Sequence, residues 1–216
     1  MAYEPGIPPA PVTIVHETDP VQSDIAWEDP LALAAEWLPG PDEDRMLMTV
    51  STVEPDGAPR ARTTMLSEFD GHDFYFHTDG ASAKIADLDH EPRVALTLLW
   101  PGFTRQLVVQ GTARRADAGE EARAYRLRSP YLQQLAWQNT PELAARPLAE
   151  RRARWAAFLD EHGGADAPAF GQPAGWVGFA VRPTRLLFWV SNPDAPSRRI
   201  EYTRQDAGWA RRALPG

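Results

Sequence analysis

Apolar and β-branched positions in this chain fall mostly in short runs between turn-forming residues. MLMTVSTV (46–53) is apolar and β-branched, PRARTTMLSEF (59–69) alternates, and DFYFHT (73–78) is aromatic. EPDGAP, with its Asp56-Gly57 pair, and DGH (70–72) separate them as tight turns, which predicts an antiparallel meander of three strands. RVALTLLW (93–100) is a nearly continuous apolar strand, and RQLVVQGTARRA (105–116) returns with alternation through Leu107 and Val109. Near the C-terminus WVGFAV (176–181), TRLLFWVS (184–191) and RRIEYTR (198–204) read as strands, and Trp209 begins a last short one after the Asp206-Ala-Gly208 turn.

Helical spacing is confined to five stretches. DPLALAAEWL (29–38) opens with Asp29 as N-cap and Pro30 at the first helical position, with Leu31, Leu33, Ala34, Trp37 and Leu38 on one face. DGASAKIADLDHEP (79–92) holds a short helix ended near Pro92, and DAGEEARAYRLRS (117–129) starts at Asp117 with acidic residues in its first turn. Pro130 interrupts that helix, and YLQQLAWQ (131–138) continues it. PLAERRARWAAFLDEH (147–162) carries an apolar stripe through Leu148, Arg152, Trp155, Phe158 and Leu159, and Gly163-Gly164 end it.

Roughly eight strands with helices between them, no regular βαβ alternation and no GxGxxG motif disfavour a dinucleotide-binding sheet. They predict a mainly β barrel with peripheral helices. Residues 1–28, with prolines at positions 5, 8, 9, 11 and 20, read as an extended N-terminal arm, and 29–216 as a single domain.

Composition narrows the chemistry. The chain has no cysteine, which removes disulfides, thiolate metal sites and cysteine nucleophiles, and its five histidines show no HxxxH or HxH spacing, so no metal is expected. A net charge of −8 argues against nucleic acid as a partner. No apolar run approaches a membrane span, and the N-terminus lacks the basic start and apolar stretch of a secretory signal. A cytoplasmic address without membrane contact is the expectation. Of the 22 basic residues only Lys84 is a lysine; a codon bias towards arginine and a functional need for a compact point charge both account for that.

Gly80, Ser82 and Lys84 sit at a strand-to-helix junction, where the free N–H groups of a first turn, a hydroxyl and an ammonium suit a phosphate. A polar turn with a capping serine gives the same pattern. Arg62 lies mid-strand on one face with Thr64 and Leu66, either exposed at an edge or reaching a buried anion. Gln106, Trp189 and Arg199 are further polar or aromatic strand positions that solvation or core packing would also explain.

Taken in order, these segments resemble the pyridoxamine 5′-phosphate oxidase family from about Asp29 to Leu214. The carrying stretches are DPLALAAEWL, MTVSTVEPDGAPRARTTML, FYFHTDGASAKIADLDHEPRVALTLLW, RQLVVQGTARR and LFWVS…RRIEYTR…GWARRAL. The resemblance implies an FMN-binding split β-barrel, antiparallel and homodimeric, with FMN at the subunit interface; a deazaflavin is the alternative cofactor. Residue by residue it implies Arg62, Ser82 and Lys84 at the FMN phosphate, with Ala83 in place of the family's middle arginine. It places Leu66, Gln106, Trp189 and Arg199 around the flavin, and His77 and Thr78 at the family's aromatic-threonine pair.

The substrate side departs from the family. Ser67 stands where the family has a phosphate-binding lysine, and DAPSRR (194–199) puts Ala195 and Ser197 where it has an arginine and a histidine. Tyr125 and Arg128 are the remaining candidates near the substrate. Each lost charge-assisted hydrogen bond forfeits roughly 1.5–3 kcal/mol. The resemblance therefore implies a flavin-dependent oxidoreductase acting on a small organic, aromatic or secondary-metabolite substrate. A true pyridoxine/pyridoxamine 5′-phosphate oxidase and a non-catalytic flavin-binding protein are the alternatives.

Overall fold

The computed structural model describes residues 27–40, 45–162, 170–192 and 195–216. The arm up to residue 26, the Gly163-Gly164 helix stop, the start of the following loop, and Pro193 and Asp194 lie outside them. Among the described residues nine strands form one antiparallel sheet: β1 (Leu47–Val53), β2 (Pro59–Met65), β3 (Glu68–Phe69), β4 (Phe74–Asp79), β5 (Arg93–Leu99), β6 (Arg105–Arg115), β7 (Trp176–Val190), β8 (Arg198–Gln205) and β9 (Gly208–Pro215). The order is β2-β1-β5-β6-β7-β4-β3, with β8 on β7 and β9 on β8. Six α-helices lie around it: α1 (Pro30–Trp37), α2 (Ala83–His90), α3 (Ala118–Arg126), α4 (Pro130–Gln138), α5 (Pro141–Ala144) and α6 (Leu148–Glu161). No helix of the described residues is long and apolar enough to cross a membrane.

Alternation separates two faces of the sheet. Met48 and Val50, Leu96 and Leu98, Leu107 and Val109, Leu186 and Phe188, and Ile200 all turn inward and are buried. α1 closes this core: Trp37 meets Phe188 edge-on at 5.1 Å and Trp100 at 5.6 Å. Asp29 caps α1 as expected, accepting from the Leu31 N–H at 2.9 Å. The Tyr202 hydroxyl donates to the Trp27 carbonyl at 2.9 Å, so the packed fold reaches two residues before the boundary expected at 29.

Five features depart from the expected pattern. The segment 59–69 is two strands, because the chain changes partner: Leu66 N–H still donates to Met46 C=O at 2.9 Å, whereas Ser67 N–H donates to Tyr75 C=O at 2.8 Å. This switch carries the chain from β1 to β4 and curls the sheet. The two strands expected over 176–191 are one, β7, which runs along β6 from Phe179 to Val190 and pairs on its other side with β4 over its first part and β8 over its second. Pro183 is tolerated there because the β6–β7 register shifts at Gln110/Gly111. Gly111 is needed at that bulge, since a Cβ would come within 2.2 Å of the Arg182 carbonyl oxygen. Pro130 begins α4 as its first residue, behind Ser129, rather than interrupting a helix. The four-residue α5 was not expected. The stripe on α6 is only partly covered: Phe158 is buried, while Leu148 is 51% exposed.

Candidate functional site

A cleft of about 520 Å³ opens between the end of β4, the start of α2, β2 and the α4–α5 pair. Ser67, His77, Thr78, Ser82, Lys84 and Arg128 line it, so six of the expected site residues, far apart in sequence, meet on one surface.

The corner at the start of α2 gathers an ammonium, two hydroxyls and a helix N-terminus. Lys84 lies over the helix start, where its Nζ donates to Thr78 Oγ1 and Ser82 Oγ, both at 2.6 Å. Ser82 is the N-cap residue, yet its hydroxyl makes no cap bond; it is held by Lys84 instead. The first-turn N–H groups of α2 face the same end of the helix. Burial lowers the Lys84 pKa, and the neighbouring Arg62 charge adds to that, while Asp79 and Asp87 oppose it.

Arg62 stands behind this corner rather than on the cleft wall. Its Nη1 donates to Thr52 Oγ1 at 2.7 Å and its Nη2 to Asp87 Oδ2 at 3.1 Å. Asp87 is 2% exposed and also receives Thr52 Oγ1 at 2.6 Å and Arg60 Nη1 at 3.3 Å. Sequence reasoning missed Asp87. Its signal was an acidic residue three positions after Lys84 on a short helix, facing the arginines of β2.

The opposite wall is aromatic. The His77 ring lies flat on Trp176, with centroids 4.3 Å apart and planes 4° from parallel. His77 Nδ1 is 2.9 Å from Ser67 Oγ, and its Nε2 is buried with no hydrogen-bond partner. Burial, with the Arg128 and Arg123 charges, pushes its pKa down to about 4, so the imidazole is neutral at pH 7. Arg128 sits 5.4 Å over the Trp176 ring and donates through Nε and Nη2 to the Leu132 carbonyl. Tyr125 does not line the cleft. It meets Trp176 edge-on at 5.1 Å from behind, and its hydroxyl donates to Gly171 C=O at 2.9 Å. Trp176 is thus the hinge of this wall, and neither it nor the cleft-facing Leu132, Leu135 and Thr140 stood out in the sequence.

The other expected residues lie elsewhere. Leu66 is buried in the core beneath the strand switch. Gln106, Trp189 and Arg199 are successive cross-strand partners on β6, β7 and β8, forming one row on the outer face of the sheet with Leu99 beside it. Leu99 is 42% exposed, and Arg199 Nε is buried without a partner. Ser197 lies near the chain end, its carbonyl accepting from Gly216 N–H at 3.0 Å. None of these residues lines the cleft. One chain therefore presents two separate groups: a lysine-hydroxyl corner with an aromatic wall, and an outer row containing glutamine, tryptophan and arginine.

Comparison with known proteins covers most of the chain in two stretches. The family model described as pyridoxamine 5′-phosphate oxidase matches residues 41–160, and that of the pyridoxine 5′-phosphate oxidase C-terminal dimerisation region matches 176–215. The chain is 34% identical over 194 residues to a pyridoxine/pyridoxamine 5′-phosphate oxidase of Caulobacter vibrioides, covering 87% of this chain and 85% of that protein. It is 36% identical over 165 residues to one of Rubrobacter xylanophilus, covering 76% and 74%. Among solved structures it is similar to PhzG from Burkholderia lata 383, a complex with tetrahydrophenazine-1-carboxylic acid. The TM-score is 0.72 at 20% identity, covering 89% of this chain and 95% of that one. A pyridoxamine 5′-phosphate oxidase-related, FMN-binding protein of Nostoc punctiforme has a TM-score of 0.64 at 18% identity, covering 79% and 88%. The split-barrel fold is common to them.

Proposed function

The chain belongs to the pyridoxamine 5′-phosphate oxidase family, and from that premise we propose that it is an FMN-dependent oxidoreductase acting on a small, flat organic substrate. The observation that carries this is the corner in which Lys84, Ser82 and Thr78 converge at the start of α2. An ammonium, two hydroxyls and a helix N-terminus fit the phosphate of FMN, and the adjoining cleft of about 520 Å³ is large enough for a ring system beside it. When bound, the flavin supplies a hydride acceptor or donor.

The chain's own residues bind, orient and shield. Lys84, Ser82 and Thr78 hold the phosphate, and Asp87 keeps Arg62 at its back. Trp176 and His77 form a flat wall, and Leu132 and Leu135 on α4 keep water from that side. Gln106, Trp189 and Arg199 are displayed away from their own cleft. In a homodimer, a second copy would bring its outer row to the first copy's corner, so each site would draw on both subunits. Mixing Lys84→Gln chains with Arg199→Ala chains tests this. The mixed dimer is expected to recover one intact FMN site where neither parent binds fully; no recovery overturns the shared site.

The substrate proposal rests on Ser67, where the resemblance implies a phosphate-binding lysine, and on Ala195 and Ser197, where it implies an arginine and a histidine. Strict vitamin B6 oxidation is the second reading, favoured by the 34% identity to a protein of that name. Peroxide release with pyridoxine or pyridoxamine 5′-phosphate decides between them: turnover of about 1 per second or faster refutes the substrate proposal. The spectrum and mass of the chromophore that copurifies test FMN against a deazaflavin. Absence of any chromophore, with no uptake of added FMN, refutes the function.

A further inference from the structure

Ser67 and His77 touch across the cleft wall, and neither the phosphate corner nor the outer row needs that contact. The neutral imidazole carries one proton, on Nδ1 or on Nε2, and the partners of the two nitrogens decide which. Nε2 is buried and has no partner. The ring edge that carries it lies against bare backbone and a methyl group: a Cβ placed on Gly178 would stand 2.7 Å from His77 Cδ2 and Nε2 and 2.9 Å from the Ala116 Cβ. A proton on Nε2 would be an orphaned buried donor, the rarer kind of unsatisfied group in folded proteins. On Nδ1 the same proton is satisfied by Ser67 Oγ at 2.9 Å. The ring is kept in this sense by its flat stack on Trp176, 4.3 Å away.

Once Ser67 Oγ accepts from His77, its own O–H has to point elsewhere. Ser67 is half-exposed, and its open side is the cleft. The geometry points to Ser67 as a fixed hydrogen-bond donor into the cleft, oriented by His77, so that the substrate presents an oxygen acceptor, a carbonyl or carboxylate, at this wall. This rests on the reading of the cleft as the place where a flat substrate lies beside FMN. Ser67 is the specificity residue and His77 a positioning residue that acts through it. A second proton on the ring would leave the sense unchanged, since Nδ1 would still donate. Burial and the Arg128 and Arg123 charges keep that second proton off at neutral pH.

Two measurements test it. Long-range ¹H–¹⁵N spectra of the FMN-loaded protein, with His77 assigned by its loss in His77→Phe, report the protonated nitrogen. Nδ1–H is expected, and Nε2–H overturns the proposal. The second measurement is binding of two neutral bicyclic probes, followed by saturation-transfer NMR: coumarin, which offers acceptor oxygens and no N–H or O–H donor, and indole, which offers an N–H donor. Ser67→Ala is expected to weaken coumarin by between about twofold and tenfold and to leave indole unchanged. His77→Phe keeps a flat ring against Trp176; it should weaken coumarin in the wild-type background and do nothing more once Ser67 is alanine. Equal losses for both probes, or additive effects of the two substitutions, overturn the assignment. A protein that takes up no FMN refutes the function proposed above. On such a protein the same spectra and probe titrations are run without flavin, and they still decide the role of Ser67.

Discussion

Gly178→Ala is the substitution whose effect follows most directly from the coordinates. Gly178 on β7 is the cross-strand partner of His77 on β4. A methyl group there would lie 2.7 Å from two atoms of the imidazole and 2.9 Å from the Ala116 Cβ, well inside van der Waals contact. The ring cannot retreat without leaving Trp176, at 4.3 Å, and Ser67, at 2.9 Å. Losing the hydrogen bond costs about 0.5–1.5 kcal/mol and losing the stack a similar amount. The total is on the order of 1–3 kcal/mol, the range usual for overpacking a core. At roughly 2–4 °C per kcal/mol for a domain of this size, the midpoint of thermal unfolding should fall by several degrees. Circular dichroism measures it, and the His77→Ala background supplies the control. With the ring removed, the two contacts at 2.7 Å are gone and that to the Ala116 Cβ at 2.9 Å remains, so the penalty should shrink. A midpoint shift below about 1 °C, or the same loss with and without the ring, would refute the contact reasoning.

Other expectations are as direct. Lys84→Gln should weaken FMN binding by roughly 10- to 150-fold, the loss of a charge-assisted hydrogen bond, and leave riboflavin, which lacks the phosphate, unaffected; fluorescence titration reads both. Asp87→Ala strips the buried partner from Arg62, Arg60 and Thr52 and should cost about 3 kcal/mol in urea unfolding. His77 gives a pH signature. Its folded pKa of about 4 lies below the ordinary value of 6.5, so the unfolded chain takes up the proton first as pH falls. Its contribution to stability is therefore complete above pH 6.5 and declines towards pH 4, by on the order of 3 kcal/mol in all. Urea midpoints across that window should slope less in His77→Phe than in the wild type.

Much of the fold was legible because alternation is a local signal. β1, β4, β5, β6 and β8 fall within about two residues of their apolar patterns, and Asp29, Asp117 and Ser129 cap helices as such residues do. What escaped depends on partners distant in sequence. Nothing local to Leu66 or Ser67 says that the backbone there leaves β1 for β4. Pro183 reads as a strand end unless Gly111 is known to face it. The site divides in the same way. Ser82 and Lys84 announce themselves by adjacency at a helix start, whereas Asp87 and Trp176 acquire meaning only from Arg62 and His77, whose positions relative to them are set by the closed sheet. On α6 only Phe158 of the stripe is buried among the described residues, because periodicity records what a helix could bury and not what stands opposite it.

The short α5 helix has a consequence of its own. Thr140 faces both the cleft and a smaller hollow of about 310 Å³ on the far side, with Pro141 and Ala144 turned to the first and Glu142 and Leu143 to the second. This single turn and the end of α4 stand between the two spaces, and neither belongs to a strand of the sheet. Lengthening or deleting that turn should resize the cleft while leaving Lys84, Ser82 and Thr78 in place. The size of the molecule admitted should therefore follow the length of a segment that lies outside the strands carrying the core.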